Sequence, residues 1–426
     1  MTRNSLMLIV VASLGYFVDI YDLLLFNVVK KESLQFLFPE MDAKTLADTG
    51  KYLFNMQMTG MLLGGLLWGI LGDKRGRIQV LFGSILLYSA ANIVNAFVTN
   101  LDVYAAVRVI AGIGLAGELG AGITLISETM DKEKRGIGTM IVVTFGALGA
   151  VFAGLVGMKG EALGQLLESW FNYPFPNWRV AYIIGGTLGL ILLLLRVGVL
   201  ESGMYASIKT ESHVKKGDFL MLFKSKDRFL KYLACILVGV PIWYTIGLLV
   251  ANSEEVFGPE LGVTGRVING QAVMYCYIGL SVGDFISGLL SQVLRSRRKV
   301  VMLYLGFTAA LMVVFLFFSE GISPQAYYWL SFLIGVAAGY WALFVIIASE
   351  QFGTNIRSTV TNTVPNFVRG SVPLITTSAA FLSPMMGERY SALVVGTVCL
   401  ALSFASIWYL KESFSNDLNY TEEHIS

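Results

Sequence analysis

Two carboxylates interrupt an apolar run near the start of the chain: Asp19 and Asp22, in the stretch GYFVDIYDLLLFNVV at 15–29. Three positions apart, they fall on one face of a helix. A carboxylate near the middle of a membrane span costs roughly 2.5–3.5 kcal/mol on insertion scales, so both must turn inward and be compensated. Burial favours the protonated form of a carboxyl, and a nearby guanidinium favours the ionised form. An acid that meets a cation in one conformation and loses it in another therefore takes up and releases a proton as the protein moves. Matching charges lie in two other apolar stretches. Arg108 opens RVIAGIGLAGELGAGITLISE, which also carries Glu118, and Arg369 sits inside STVTNTVPNFVRGSVPLITTSAAFL. In the latter, Asn362, Asn366, Arg369 and Pro373 form a single polar stripe at helical spacing.

A guanidinium fork suits a carboxylate, so Arg369, Asn366 and Asn362 are candidate ligands for an anionic or zwitterionic solute. The competing reading is that Arg369 only neutralises Asp19 or Glu118. Asp19 accordingly stands open between cation site, substrate ligand and partner of Arg369. Glu118 is open between a second protonatable group and a helix-packing acid. Tyr275, Tyr277 and Gln271, Tyr340 and Trp341, and Asn55 and Gln57 are further candidates for a cavity lining. GIGLAG at 112–117 matches a dinucleotide-binding pattern only in letters, because no strand precedes it and the apolar run is unbroken.

The elements that hold these groups are membrane spans. Of 426 residues, 55% are hydrophobic and 14% charged, too little charge to clothe a soluble surface. Apolar blocks of about 20 residues match the thickness of a bilayer core. Twelve spans are expected, near 5–29, 51–71, 78–99, 102–127, 137–158, 180–200, 231–252, 268–293, 300–319, 325–348, 358–382 and 389–410. The charged stretch ESGMYASIKTESHVKKGDFLMLFKSKDRFLKY divides them into an all-α pair of six-helix bundles, 1–200 and 231–426, joined by a linker at 201–230. Lys and Arg crowd the side holding both termini, which places the termini in the cytoplasm. The fourth and tenth spans end alike, in SETMDKEKRG and SEQFGTNIRS, an internal repeat of the kind found in transporters.

Cys235, Cys276 and Cys399 lie unpaired in apolar segments and read as buried small residues. Neither a metal-ligand set nor a nucleophile with its base is evident, so no metal, no cofactor and no enzyme activity are expected. The net charge of +2 gives no sign of nucleic acid.

The loop GILGDKRGRI, with Gly69, Asp73, Arg75, Gly76 and Arg77, resembles a signature of the major facilitator superfamily. GDFISGLLSQVLRSRRKV resembles its second-half counterpart, keeping Asp284 and a basic cluster but lacking the Gly-Arg ending. Span one is similar to that of the metabolite:proton symporters, and Gly117-Glu118 fits the same family. Tyr21-Asp22, Arg108, Glu128, Arg135, Glu350 and Arg357 match the sugar-porter pattern as well. The resemblance implies proton-coupled uptake of a small organic acid or zwitterion by alternating access. It implies that Arg108 partners Asp22, in coupling or as a static bridge. It also implies that Glu128, Arg135, Glu350 and Arg357 latch the halves together. The alternatives are proton-driven export, sugar:proton symport, or a non-transporting membrane sensor. Expected partners are the small solute, protons (or sodium) and membrane lipid. The chain is expected to act as a monomer in a bacterial inner membrane.

Overall fold

The structure, a computed structural model, describes residues 3–75, 77–120, 135–201, 219–353 and 356–414. The first half of the chain forms α1 (Arg3–Leu37), α2 (Ala43–Arg75), α3 (Arg77–Asn95), α4 (Leu101–Leu115), α5 (Arg135–Lys159), α6 (Glu161–Phe171) and α7 (Asn177–Glu201). The second half forms α8 (Lys226–Trp243), α9 (Asn269–Val293), α10 (Arg297–Phe317), α11 (Pro324–Ala338), α12 (Trp341–Glu350), α13 (Arg357–Arg369) and α14 (Val372–Tyr409). The described residues contain no strand.

Nine of these helical runs are long and apolar enough to cross a bilayer. A tenth crossing, Ile141–Gly157, bends by 64° into α6, and Gln79–Asn95 is a shorter one. Thr359–Tyr409, at 51 residues, is too long for a single crossing and breaks at Gly387, where φ is 82°. Twelve crossings result, as the hydropathy pattern predicts. α6 was not foreseen. It is an amphipathic turn of chain whose Trp170 and Phe171 are exposed and whose Gly164 is buried. α8 begins at Lys226, inside the expected linker.

Local chemistry sets the helix starts. Asn100 accepts hydrogen bonds from the N–H groups of Asp102 and Val103 at the head of α4. Ser296 and Ser323 cap α10 and α11 in the same way. Corresponding pairs in the two halves approach closely, α2 on α4 and α9 on α11. A Cβ at Gly60, Gly64 or Gly112 would strike the facing backbone of the first pair, and one at Gly279, Gly283 or Gly335 that of the second. With no hydrophobic force between helices in lipid, this contact between backbones supplies the packing.

Among the spans that are not continuous α-helix, the seventh and tenth break deep in the second half. Beyond α8 the seventh crossing runs through π turns at Tyr244–Leu249 and Ser253–Phe257 with a 3-10 turn, Val250–Asn252, between them. The tenth crossing breaks between α11 and α12 at Gly339 and Tyr340. Irregular backbone at this depth survives only where protein or a cavity surrounds it.

Candidate functional site

A cavity with about 300 Å³ of empty space, open margins included, lies between the halves. Its walls are Tyr16 and Ile20 of α1, Val143 and Ala147 of α5, Ile242, Trp243 and Ile246 of the seventh crossing, Tyr277 and Leu280 of α9, Trp341 of α12 and Arg369 of α13. All of them are buried. Four aromatic rings and one guanidinium thus face a common space, and among the described residues Arg369 is the only charged side chain in the wall.

Arg369 is poorly satisfied. Its Nη2 stands 3.7 Å from Asp19 Oδ2, and its cationic carbon sits 5.3 Å from the centre of the Trp341 ring. None of its three nitrogens has a hydrogen-bond partner, and neither does either oxygen of Asp19. The two residues are 1% and 0% exposed, so bulk solvent does not reach them. A loose ion pair with free donors beside a cavity is a place where a second carboxylate can compete for the guanidinium.

Asp19 and Asp22 diverge although only three residues separate them. Asp19 reaches across the halves to Arg369. Asp22 turns into the first half, where its carboxylate lies against Gly185 of α7 beside the Asn92 amide of α3. Its oxygens have no hydrogen-bond partner. Arg108 does not complete the expected pair in this state. It donates to Gln57 Oε1 and, at 3.4 Å, to the Tyr182 hydroxyl, and it lies 4.7 Å from the centre of the Phe26 ring. Glu118 pairs with Arg196 of α7, a further buried cation. Three buried acids in the first half therefore face three arginines, not the two anticipated. Arg196 lies inside the sixth expected span, 180–200.

The remaining candidates sort by position. Asn366 donates to the Ala116 carbonyl of the first half and to Asn362, whose own side chain abuts Gly120. These two asparagines sit in the seam between halves and are absent from the cavity wall. Gln57 is buried and also donates to Leu23. Tyr340 packs inside the second half with its hydroxyl on the Val238 carbonyl. Tyr275 stacks on Tyr328 and Trp329 and accepts from Gln325, away from the cavity. Tyr16 and Trp243 were missed. Tyr16 was legible, since it precedes Asp19 by three and shares its helical face; Trp243 carried no such signal.

Among the motif residues, Glu350 is held by Arg297 at 2.8 Å and by the Ser413 hydroxyl. Arg357 donates to the carbonyls of Ser349 and Phe352. Gly69 faces Thr363 of α13. Asp284 is not at a loop: it is fully buried in α9, where Oδ1 accepts the Ala342 N–H at 3.0 Å. The apparent loop counterpart was misaligned, because Asp284 lies 13 residues before Arg297, almost four helical turns inside the span. Glu128 and Gly76 lie outside the described residues, as do the side chains of Asp73, Arg75, Arg77 and Arg135.

Both routes into the cavity are shut. On the side away from the termini, Lys30 of α1 pairs with Glu255 at 3.3 Å and donates to the Ala251 carbonyl at 2.8 Å. Lys31 pairs with Glu254 at 2.8 Å, and Asn269 donates to the Asn27 carbonyl. On the side of the termini, α13 lies directly on α2 and α4, with Asn366 against Gly65 and Asn362 against Gly120. The molecule is occluded around an aromatic chamber with one cation.

Comparison with known proteins places this architecture. The family profile described as Major Facilitator Superfamily matches residues 12–371. The niacin transporter NiaP of Acinetobacter baylyi is 33% identical over 163 residues, 38% of this chain and 34% of that protein, so about a third of the relative's length is matched. The 3-(3-hydroxy-phenyl)propionate transporter of Escherichia coli is 24% identical over 352 residues, 82% of this chain and 79% of that protein. Among solved structures, the proton:xylose symporter XylE bound to 6-bromo-6-deoxy-D-glucose superposes with a TM-score of 0.67 over 97% of each chain at 16% identity, a likeness of fold. The chain belongs to the Major Facilitator Superfamily and is a multi-pass membrane protein.

Proposed function

We propose that the protein takes up a small aromatic or otherwise apolar carboxylate together with a proton. The observation that carries this reading is the chamber itself: four aromatic rings, aliphatic walls, and a guanidinium with unused donors 3.7 Å from Asp19. The substrate carboxylate takes Arg369 in a bidentate grip while its apolar body stacks among Tyr16, Trp243, Tyr277 and Trp341. Asp19 then loses its only cation and is neutralised by a proton. One anion and one proton enter the site together, and the charge in the chamber is unchanged. A site that stays neutral in this sense can close around its cargo and reopen on the other side. Asp22, held beside Asn92 and Gly185, is the next acid along α1 and serves as a station for the proton behind Asp19. Arg108, held by Gln57, positions the surrounding helices in this state and approaches Asp22 in another. The relatives named for niacin and for hydroxyphenylpropionate carry solutes of the same chemistry, a ring with a carboxylate.

The termini are placed in the cytoplasm by the Lys and Arg bias, so the Lys30–Glu255 closure faces outward.

Thermal-shift screening of the purified protein against nicotinate, benzoate, 3-(3-hydroxyphenyl)propionate, citrate and xylose tests the reading, since a ligand that binds the fold raises its melting temperature. The aromatic monocarboxylates should stabilise the wild type and leave Arg369→Gln unmoved. Stabilisation by xylose alone, or equal stabilisation of Arg369→Gln, would refute it.

A further inference from the structure

Asp284 has no role in the chamber described above, yet its setting is unusual. Four described buried acids of the spans are paired with cations, at Asp19–Arg369, Glu118–Arg196, Glu350–Arg297 and Glu255–Lys30, while Asp22 has no ion pair but has Arg108 nearby. Asp284, at 0% exposure, has no such pair among the described residues. Its Oδ1 accepts the Ala342 N–H, the Trp341 backbone N–H also faces the carboxylate, and Oδ2 has no other partner among the described residues. The titratable groups facing it are Tyr304 of α10 and Tyr16 of α1. Neither is a cation. An ionised carboxylate left uncompensated in this position is strongly disfavoured, whereas a proton on Oδ2 leaves the Oδ1 hydrogen bond in place.

The partner it does have is mechanically placed. Ala342 belongs to the first turn of α12, the half-helix that begins after the break at Gly339 and Tyr340. Such a helix start presents N–H groups without intrahelical partners and a partial positive charge. The approach is tight, since a Cβ on Gly339 would fall on the backbone of Gly283 and Asp284. The residue before Ala342 is Trp341, which forms a wall of the chamber and carries Arg369 against its ring. A neutral carboxyl accepts weakly from the α12 N-terminus, and an ionised one accepts strongly and adds attraction to the helix dipole. Gain or loss of one proton at Asp284 therefore changes how firmly the head of α12, and Trp341 with it, is drawn toward α9.

We propose that Asp284 is a second protonation site, in the other half of the molecule from Asp19, and that it sets the position of the Trp341 wall through the break in the tenth crossing. It is a positioning residue, since it acts on the chamber through α12. The inference rests on the proton-coupled reading only for its place in the transport cycle; the protonation event itself can be seen without substrate.

The test is a pH titration of the purified full-length protein in lipid, followed by the infrared carbonyl stretch of protonated carboxyls and by tryptophan fluorescence. Wild type should show a carboxyl band that vanishes on alkalinisation and is missing from Asp284→Asn, a variant that retains shape and an acceptor oxygen. The band should persist in Asp19→Asn and Asp22→Asn, which separates this outcome from failure of the coupling scheme. A fluorescence change with the same midpoint should be lost in both Asp284→Asn and Trp341→Phe. Asp284→Glu should restore the titration with a displaced midpoint, and this variant decides the matter if Asp284→Asn does not fold. A carboxyl band unchanged in Asp284→Asn, a Trp341 signal that titrates identically without Asp284, or an unmoved midpoint in Asp284→Glu would overturn the proposal.

Discussion

The two closures of the chamber are built from different materials. Away from the termini, the halves meet through lysines and glutamates, and the helix that supplies the glutamates is wound in π and 3-10 turns. On the side of the termini, they meet through small residues and asparagines packed backbone to side chain. A charge latch can be released by a proton, a salt or a competing ion, and an irregular helix can rewind with little loss of hydrogen bonding. A steric seam has no such handle; it opens only when the halves move apart as bodies. The contrast suggests that the Lys30 side responds to local chemistry and that the Asn366 side follows the motion of the whole.

Breaking the buried member of the latch should have the largest effect. Lys30 and Glu255 have side chains 5% and 6% exposed, and removal of one partner from such a pair costs about 3–5 kcal/mol. Lys30→Met should open that side, read as a longer distance between spin labels at Lys44→Cys and Thr264→Cys. Lys30→Met combined with Glu255→Met should recover much of the closure, because no unpaired charge remains. Equal opening in the single and double variants would show that shape, not charge, holds this side.

Next comes the steric seam. Gly120→Val places a branched side chain where Asn362 sits, and overpacking of this kind costs about 1–3 kcal/mol. Labels at Lys74→Cys and Arg295→Cys should separate while the Lys44–Thr264 distance stays short. Salt should leave this opening unchanged, whereas it should increase the opening caused by weakening the outer pairs.

A smaller effect is expected at Lys31, whose side chain is 32% exposed and whose partner Glu254 is also held by Arg266. Lys31→Met should weaken closure by at most about 1 kcal/mol, with a spin-label distance near that of wild type.

The smallest effect belongs to Glu412, beyond the last span, which clamps the chain end to the head of α10. Burial pushes its carboxyl up, but the Ser296 hydroxyl and the N–H groups of Arg297, Phe414 and Arg298 outweigh that and hold it below the ordinary glutamate range. A lowered value in the folded state contributes stability that is present at neutral pH and lost as pH falls through that value. The melting-temperature gap between wild type and Glu412→Gln should therefore be small at pH 7 and vanish in acid once pH has fallen through the lowered value. A gap that grows in acid would contradict the clamp.

Hydropathy and charge bias carried the fold, because span length and loop charge are read by the bilayer itself. The acids and arginines were equally visible, since a charge in an apolar run stands out. Their pairing was not. Arg108 and Arg369 could each have met any of three acids, and the choice depends on helix rotation and packing that no spacing encodes. Arg196 shows the limit most clearly, for it lies within the sixth span with no spacing that ties it to an acid, and it is the buried partner of Glu118. Asp284 shows the reverse, where a motif in letters drew a core residue toward a loop. The aromatic chamber was half legible: Trp341 and Tyr277 stood among the candidates, while Trp243 became a wall residue only when the seventh crossing folded beside the seam. α6 escaped because 11 residues of amphipathic helix are too short to register as a span.

The central claim is that a substrate carboxylate takes Arg369 from Asp19 and that Asp19 then binds a proton. It is tested most directly by measuring proton uptake as the purified protein binds an aromatic carboxylate, nicotinate or whichever acid of the panel stabilises it. Wild type should take up close to one proton per anion bound, with affinity rising as pH falls, and Asp19→Asn should bind the anion with no proton uptake. Binding without proton uptake in wild type, or uptake undiminished in Asp19→Asn, would contradict the account.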